Sequence, residues 1–373
     1  MKKKMLLIPL VLLLVMSLVA TGCPAPAPAP PAPAPPKVIT LKCANYFGAA
    51  ASQSTVLEQF CKDVEAATGG RVKFEYYTGG TLLTAPAMYQ GIVDGVADIG
   101  YSHVEYTPGR FPVTEVVDIA MGYPSAWVGA HAAMDWYYKF KPKEWDGVQV
   151  LWIHANNPSL IISKKPVRKL EDLKGLTIRA PGRVGDIIKA LGGTPAPTPM
   201  GEVADAISKG VIDGVMSPYE TLKTFKFADV AKYVTACWQV GSTYCFYVAM
   251  NKDAYKKLEA MPDVKAIFDR VCGEYFEIFS ALMWNQIDFA GLDYGKTQGV
   301  EFIELSAAEV TKWQTAAKVA QDNYVTEMVG KGYTQAEVKG WIDYLHERID
   351  YWTKQQILYM IPSVTGPTEM RPK

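Results

Sequence analysis

From Val38 to Glu220 the apolar positions fall into short runs that switch between a period of two and a period near 3.6, the signatures of strand and helix. VITLKCANY, starting at Val38, alternates as a strand, and QSTVLEQFCKDVEAA then places its apolar residues on one helical face. Thr68-Gly69-Gly70 closes that helix, because glycine accepts the left-handed backbone that commonly ends one. RVKFEYY alternates again, a helix runs to Gln90-Gly91, and GIVDGVADIGYSH follows at 91–103. The same order then returns. LTIRAPG reads as a strand, VGDIIKAL as a helix closed by Gly192-Gly193, TPAPTP as a short strand, and GEVADAISK as a helix ending at Gly210 before GVIDGVMSPYE. Gly-x-x-Asp-Gly-Val therefore occurs twice, at 91–96 and 210–215. Past Glu274 the pattern turns helical and aromatic. One long helix is predicted over 274–298, able to cross between lobes as a hinge strut, and a second tract runs from Ala307 to Lys331 with more to Tyr359.

Strands alternating with helices predict parallel sheets covered by helices, so two such units predict an α/β protein of two lobes with a central sheet in each. Ligands of open α/β sheets sit beyond the carboxyl ends of the strands. That rule selects Asn45, Tyr46 and Phe47 after one first strand and Arg179 after the other. After the third strands it selects Tyr101, Ser102 and His103, and Ser217, Pro218 and Tyr219. A helix starting near Arg183 would aim its positive end at the same cleft and favour an anion. Arg179 cannot lose its charge, and its planar fork of donors matches a carboxylate. Glu105 and Glu220 flank these positions as counter-charges for Arg179 or partners for a ligand amine. His103 could bond a ligand hydroxyl or keto oxygen, or brace its own loop.

Composition narrows the class. Of 373 residues 49% are apolar and 20% charged, with zero formal net charge, which fits a packed globular body and offers no basic face for nucleic acid. The first residues read separately. Lys2 to Lys4 precede MLLIPLVLLLVMSLVA, and Ala20-Thr21-Gly22-Cys23 resembles the bacterial lipobox. Residues 1–22 are thus expected to be a signal peptide and Cys23 to carry a lipid. Pro24 to Pro36 consist of proline and alanine alone, a semi-rigid spacer, so 23–37 would tether the body to a membrane outside the cytoplasm. Removing 1–22 takes away three lysines and leaves 35 basic against 38 acidic residues. The remaining cysteines, 43, 61, 237, 245 and 272, are an odd set that allows one disulfide in that compartment, but are expected as buried free thiols. The histidines at 103, 131, 154 and 346 lack metal-ligand spacing, and no GxSxG, SxxK or GxxxxGK is present. Neither a metal, a cofactor nor an enzyme is implied, although an extracytoplasmic hydrolase remains a formal alternative. Lobe I is expected to comprise 38–156 and 254–293, and lobe II 157–253 and 294–373.

Several stretches are specific enough to name a family. ATGGRVKFEYYTGGTLL, GIVDGVADIG followed by GRFPVTEVVDI, KPVRKLEDLKGLTIRAPG and YVAMNKDAYKKL resemble the DctP-like substrate-binding proteins of tripartite ATP-independent periplasmic (TRAP) transporters, over nearly all of 38–345. The resemblance implies that Arg179 pairs with the ligand carboxylate and that Asn251 matches a family asparagine near the hinge. Ser217 stands where members often carry a ligand-binding asparagine. Ser159, 20 residues before Arg179, replaces the second arginine of sialate binders, which disfavours sialate. Tyr46, Phe47, Tyr101, Tyr219, Tyr244, Phe246 and Tyr247 supply candidate walls. One cationic clamp among rings suits a monocarboxylate or 2-keto acid with an apolar or aromatic body. Implied partners are the TRAP permease subunits, driven by an ion gradient, and possible self-association through the tail. A ligand-sensing role beside a signalling receptor is the alternative.

Overall fold

The computed structural model describes residues 37–372; the expected signal peptide, Cys23 and nearly all of the tether lie outside the described residues. The strands are β1 (Ile39–Asn45), β2 (Val72–Tyr77), β3 (Ile99–His103), β4 (Val148–Ala155), β5 (Leu160–Ser163), β6 (Thr177–Arg179), β7 (Thr194–Ala196), β8 (Gly214–Ser217), β9 (Tyr233–Ala236), β10 (Cys245–Asn251) and β11 (Glu301–Glu304). They form two sheets, one in the order β2-β1-β3-β10-β4 and the other β11-β9-β5-β8-β6-β7. This is the predicted two-lobed α/β architecture. In β1 the pattern is legible directly, since Ile39, Leu41 and Cys43 are buried while Thr40 and Lys42 face water.

The repeat is real in three dimensions. Helices α1 (Ser52–Ala67) and α2 (Met88–Val93) connect β1, β2 and β3, and α3 (Ala126–Phe140) leads to β4. Helices α4 (Gly182–Ala190) and α5 (Val203–Ser208) connect β6, β7 and β8. In both units the first strand lies between the other two, all parallel. The matching residues, however, are not those of the shared Gly-x-x-Asp-Gly-Val. Gly95 and Gly210 each take φ +74° just past a helix. Three residues later Asp98 and Asp213 do the same work. Asp98 donates its main-chain N–H to Lys42 O (2.9 Å) and accepts from Lys42 N (2.8 Å). Asp213 donates to Thr177 O (2.7 Å) and accepts from Thr177 N (2.9 Å). The equivalent motif is Gly-Val-x-Asp, set four residues away from the string match in the first copy. What the structure repeats is a left-handed helix stop plus an aspartate that pins the neighbouring strand.

Two expected boundaries are corrected. Strand β10 belongs to the first sheet, paired antiparallel to β3 and β4, so 245–251 lie in lobe I rather than lobe II. Its run CFYVAMN is buried almost throughout, as a central strand requires. Helix α6 (Lys252–Glu259) is followed by one continuous helical rod: α7 (Pro262–Glu277), a π-helical stretch (Ile278–Met283) and α8 (Trp284–Thr297). The rod includes the predicted crossing helix, starting earlier. At one end Phe268 packs on Phe60 of lobe I; at the other Gly291 lies against Tyr219 and Glu220 of lobe II. Helices α9 (Ala307–Gly330) and α10 (Gln335–Leu358) follow. The tail was expected with lobe II, yet α10 packs on α3 of lobe I. Asp135 accepts from Arg348 Nε and Trp352 Nε1, both at 2.7 Å, and Ser125 donates to Gln356 (2.5 Å). Among the described residues all five cysteines are buried and free, and no helix is long and apolar enough to cross a membrane.

Candidate functional site

The carboxyl ends of β1, β3 and β6 converge with the segment before β10 on one buried cluster. Arg179 ends β6 and is 4% exposed. Its Nε donates to the Thr198 carbonyl after β7 (3.0 Å), and no salt bridge joins it to a carboxylate among the described residues. His103, ending β3, lies beside it. Burial first, and then the Arg179 charge, hold His103 well below the usual imidazole range, so the ring is neutral at pH 7. Its Nδ1 has no hydrogen-bond partner among the described residues, nor has the Tyr244 hydroxyl, which also feels the Arg179 charge. Tyr106 packs against His103 with ring centres 3.6 Å apart and planes tilted by 39°.

Aromatic rings close the cluster. Asn45 is spent on its own loop, accepting from Phe47 N (2.8 Å) and Ser54 Oγ (3.0 Å) and donating to Tyr76 (2.6 Å), which presents Tyr46 and Phe47 as a stacked pair 4.2 Å apart. Phe47 continues onto Tyr101 (5.4 Å) and Phe246 (6.2 Å), and Phe246 onto Trp284 (5.3 Å). Below, the Tyr101 hydroxyl meets His154 Nε2 at 3.3 Å, and burial pushes His154 down to about 3.

The lobes meet beside this cluster. Glu105, in the turn Val104–Tyr106, accepts from Arg183 N (2.9 Å) at the start of α4 and fills the space above Gly182. The Arg183 guanidinium is fully engaged: Nε donates to Glu115 (2.8 Å), both terminal nitrogens to Glu327 (2.5 and 3.0 Å), and the group lies 5.0 Å from the Tyr324 ring centre. The anion seat expected at this helix end is therefore taken by a side chain of the other lobe.

Of the residues selected from sequence, Arg179, His103, Tyr46, Phe47 and Tyr101 come together, with Tyr244 and Phe246. Ser159 and Ser217 are buried at the ends of β5 and β8, where Leu160 pairs with Ser217, and the Ser159 hydroxyl has no hydrogen-bond partner among the described residues. Tyr219 does not join them. Its ring packs on Phe302 (5.8 Å) in the separate apolar core of lobe II, because the turn after β8 directs it inward. Asn251 lies at the far end of β10, which runs antiparallel to β3. It caps α6, accepting from Asp253 N (2.9 Å) and Ala254 N (3.0 Å) and donating to Ile92 O (2.8 Å). Tyr247 also turns away, its ring 5.2 Å from Trp145. Thr198, Tyr106 and Trp284 escaped the sequence reading: Tyr106 and Trp284 lie at no predicted strand end, and Thr198, at the end of the predicted strand 194–199, contributes its main-chain carbonyl, which residue type does not signal.

Between the two lobes one buried arginine, with no acidic partner among the described residues, thus stands within a wall of aromatic side chains. The family model for bacterial extracellular solute-binding protein, family 7 (DctP) matches residues 44–327, and the chain belongs to that family. A TRAP periplasmic solute-binding protein of Desulfovibrio salexigens, solved as an open complex with the C-terminus of a symmetry mate in its ligand site, is 33% identical, with a TM-score of 0.75 over 86% of this chain and 99% of that one. The TRAP solute-binding protein of Rhodoferax ferrireducens, solved with copurified benzoate, is 25% identical with a TM-score of 0.77, covering 85% and 99%. A solute-binding protein of Albidiferax ferrireducens is 27% identical over 280 residues, 70% of this chain and 78% of that protein. The family consists of extracellular transport components.

Proposed function

We propose that this protein captures a small organic monocarboxylate between its lobes, by pairing the ligand carboxylate with Arg179, and delivers it to a TRAP permease. The observation that carries the reading is Arg179 itself, buried, without an acidic partner among the described residues, and adjacent to the unpartnered Tyr244 hydroxyl and His103 Nδ1. A buried guanidinium is costly unless its fork is met, and a carboxylate meets it through two parallel charge-assisted bonds. Tyr46, Phe47, Tyr106 and Phe246 surround that point with rings, which favours an aromatic acid or a 2-oxo acid with an apolar body. The benzoate of the Rhodoferax protein, and the chain terminus seated in the Desulfovibrio site, are carboxylate-bearing occupants consistent with this choice. His103 would serve a 2-oxo or 2-hydroxyl oxygen. The lobes would part about the crossing segments and close on the ligand, with Cys23 and its tether holding the body at a membrane.

Thermal unfolding against benzoate, mandelate, phenylpyruvate, pyruvate and C4 dicarboxylates, with the matching neutral amides, tests this. A ligand at 100 times its Kd adds about 2.7 kcal/mol. The expected result is stabilisation by a monocarboxylate, absent for its amide and lost in Arg179→Ala, whose affinity falls by about 2–5 kcal/mol. An equal shift in the variant removes Arg179 from the site.

A further inference from the structure

Glu105 stands beside the ligand cluster on lobe I and reaches across to the start of α4 in lobe II. Its Oε1 accepts from Arg183 N (2.9 Å), while its Oε2 is buried without a partner among the described residues. The two cations near it offset its burial only in part. Arg183 is consumed by Glu115 and Glu327, and Arg179 is the residue that the proposed ligand occupies. Facing Glu105 are Arg179 from β6, Arg183 from α4, Glu115 and Asp118 from the turn that follows, and the phenols of Tyr106 and Tyr244. Asp118 is itself buried, accepting from Cys245 N (2.7 Å) with its other oxygen unpartnered.

We propose that Glu105 enters the closed ligand site as a neutral carboxylic acid, so that capture of a carboxylate ligand takes up one proton. The inference rests on the Arg179 reading above. Burial pushes Glu105 up to about 8, against the opposing pull of the Arg183 N–H bond. When the lobes part, its contact with Gly182 and Arg183 is lost and the side chain meets water, where a glutamate has a pKa of about 4.3. Between these limits the closed form binds a proton that the open form does not. Closing, and ligand capture with it, therefore becomes less favourable as pH rises through this window, by up to about tenfold in Kd per pH unit. The unpartnered Oε2 then carries a hydrogen that it can donate to the bound acid or to an ordered water.

Isothermal titration of the purified protein with benzoate, phenylpyruvate and pyruvate, in two buffers of different ionisation enthalpy, reads proton uptake directly. The expected result is close to one proton per ligand at pH 6–7 and a Kd that rises with pH. In Glu105→Gln, which keeps an oxygen for Arg183 N, uptake falls towards zero and the pH profile flattens. Absence of uptake in the native protein, or equal uptake in the variant, overturns the role of Glu105 and leaves the Arg179 clamp intact. If none of the acids binds, the clamp reading fails and this inference falls with it.

Discussion

Arg179 and Arg183 stand four positions apart and are used in opposite ways. Arg183 fills its fork with Glu115 and Glu327, so it is a structural cation; Arg179 donates to the Thr198 carbonyl, lies against the Tyr106 hydroxyl, and has no carboxylate partner among the described residues. The Glu327 carboxyl is lowered to about 2, chiefly by the Arg183 bond, so its modest, partly exposed contribution is present above the ordinary carboxylate range and is lost as pH falls through that value. His154 makes a sharper test. Burial holds it at about 3 against the ordinary 6.5, so over that interval the unfolded chain binds a proton that the folded one refuses. Stability should therefore fall as pH drops from 6.5 towards 3, by at most about 1.4 kcal/mol per unit from this residue. Urea unfolding of His154→Phe should show a flatter acid limb than the native protein; parallel limbs would mean that His154 is not held neutral.

Among elements, the crossing rod shows how one helix serves two lobes. Gly291 in α8 allows the closest approach, for a Cβ there would lie 2.1 Å from the Tyr219 carbonyl oxygen and 2.5 Å from its carbon. Gly273 in α7 of the same rod has open space around it. Gly291→Ala should destabilise by about 1–3 kcal/mol or more, because main chain has to move. Gly273→Ala should stabilise by about 0.5–1 kcal/mol through helix propensity. Denaturant midpoints of the two variants moving in the same direction would contradict this packing. The π-helical stretch at 278–283 lies between these two ends. Residues 278–283 fall inside the single long helix predicted over 274–298, and nothing in their sequence marks the change in winding.

For the whole molecule, the contacts of Arg183 with Glu105 and Glu115 join opposite lobes. Replacing Arg183 with Met leaves Glu115 half stranded, and breaking one side of a buried ion pair costs about 3–5 kcal/mol. The variant should show a larger radius of gyration without ligand by small-angle X-ray scattering, and weaker ligand binding at unchanged stoichiometry. An unchanged radius with unchanged affinity would show that this contact does not govern closure. Added salt should weaken the native closure only slightly, because Arg183 and Glu115 are nearly buried, with side-chain exposures of 10% and 12%.

The sequence by itself determined the α/β class, the two repeated units, the family and the position of Arg179, because these depend on local periodicity, glycine stops and a motif contained within a few residues. It also placed His103, Tyr46, Phe47 and Tyr101 at strand ends that do meet. Only the tertiary structure decided the rest. Strand β10 joins the first sheet because its buried apolar run finds partners in β3 and β4, both distant in sequence. Asn251 became a helix cap and Tyr219 a core residue because strand direction and turn geometry, not residue type, fix which end and which face a side chain takes. The equivalence of Asp98 with Asp213 was hidden beneath a more conspicuous string match, since it lies in hydrogen bonds to neighbouring strands. Whether a cation is paired with an acid or not is likewise a matter of partners brought from far along the chain, as Glu115 and Glu327 are for Arg183.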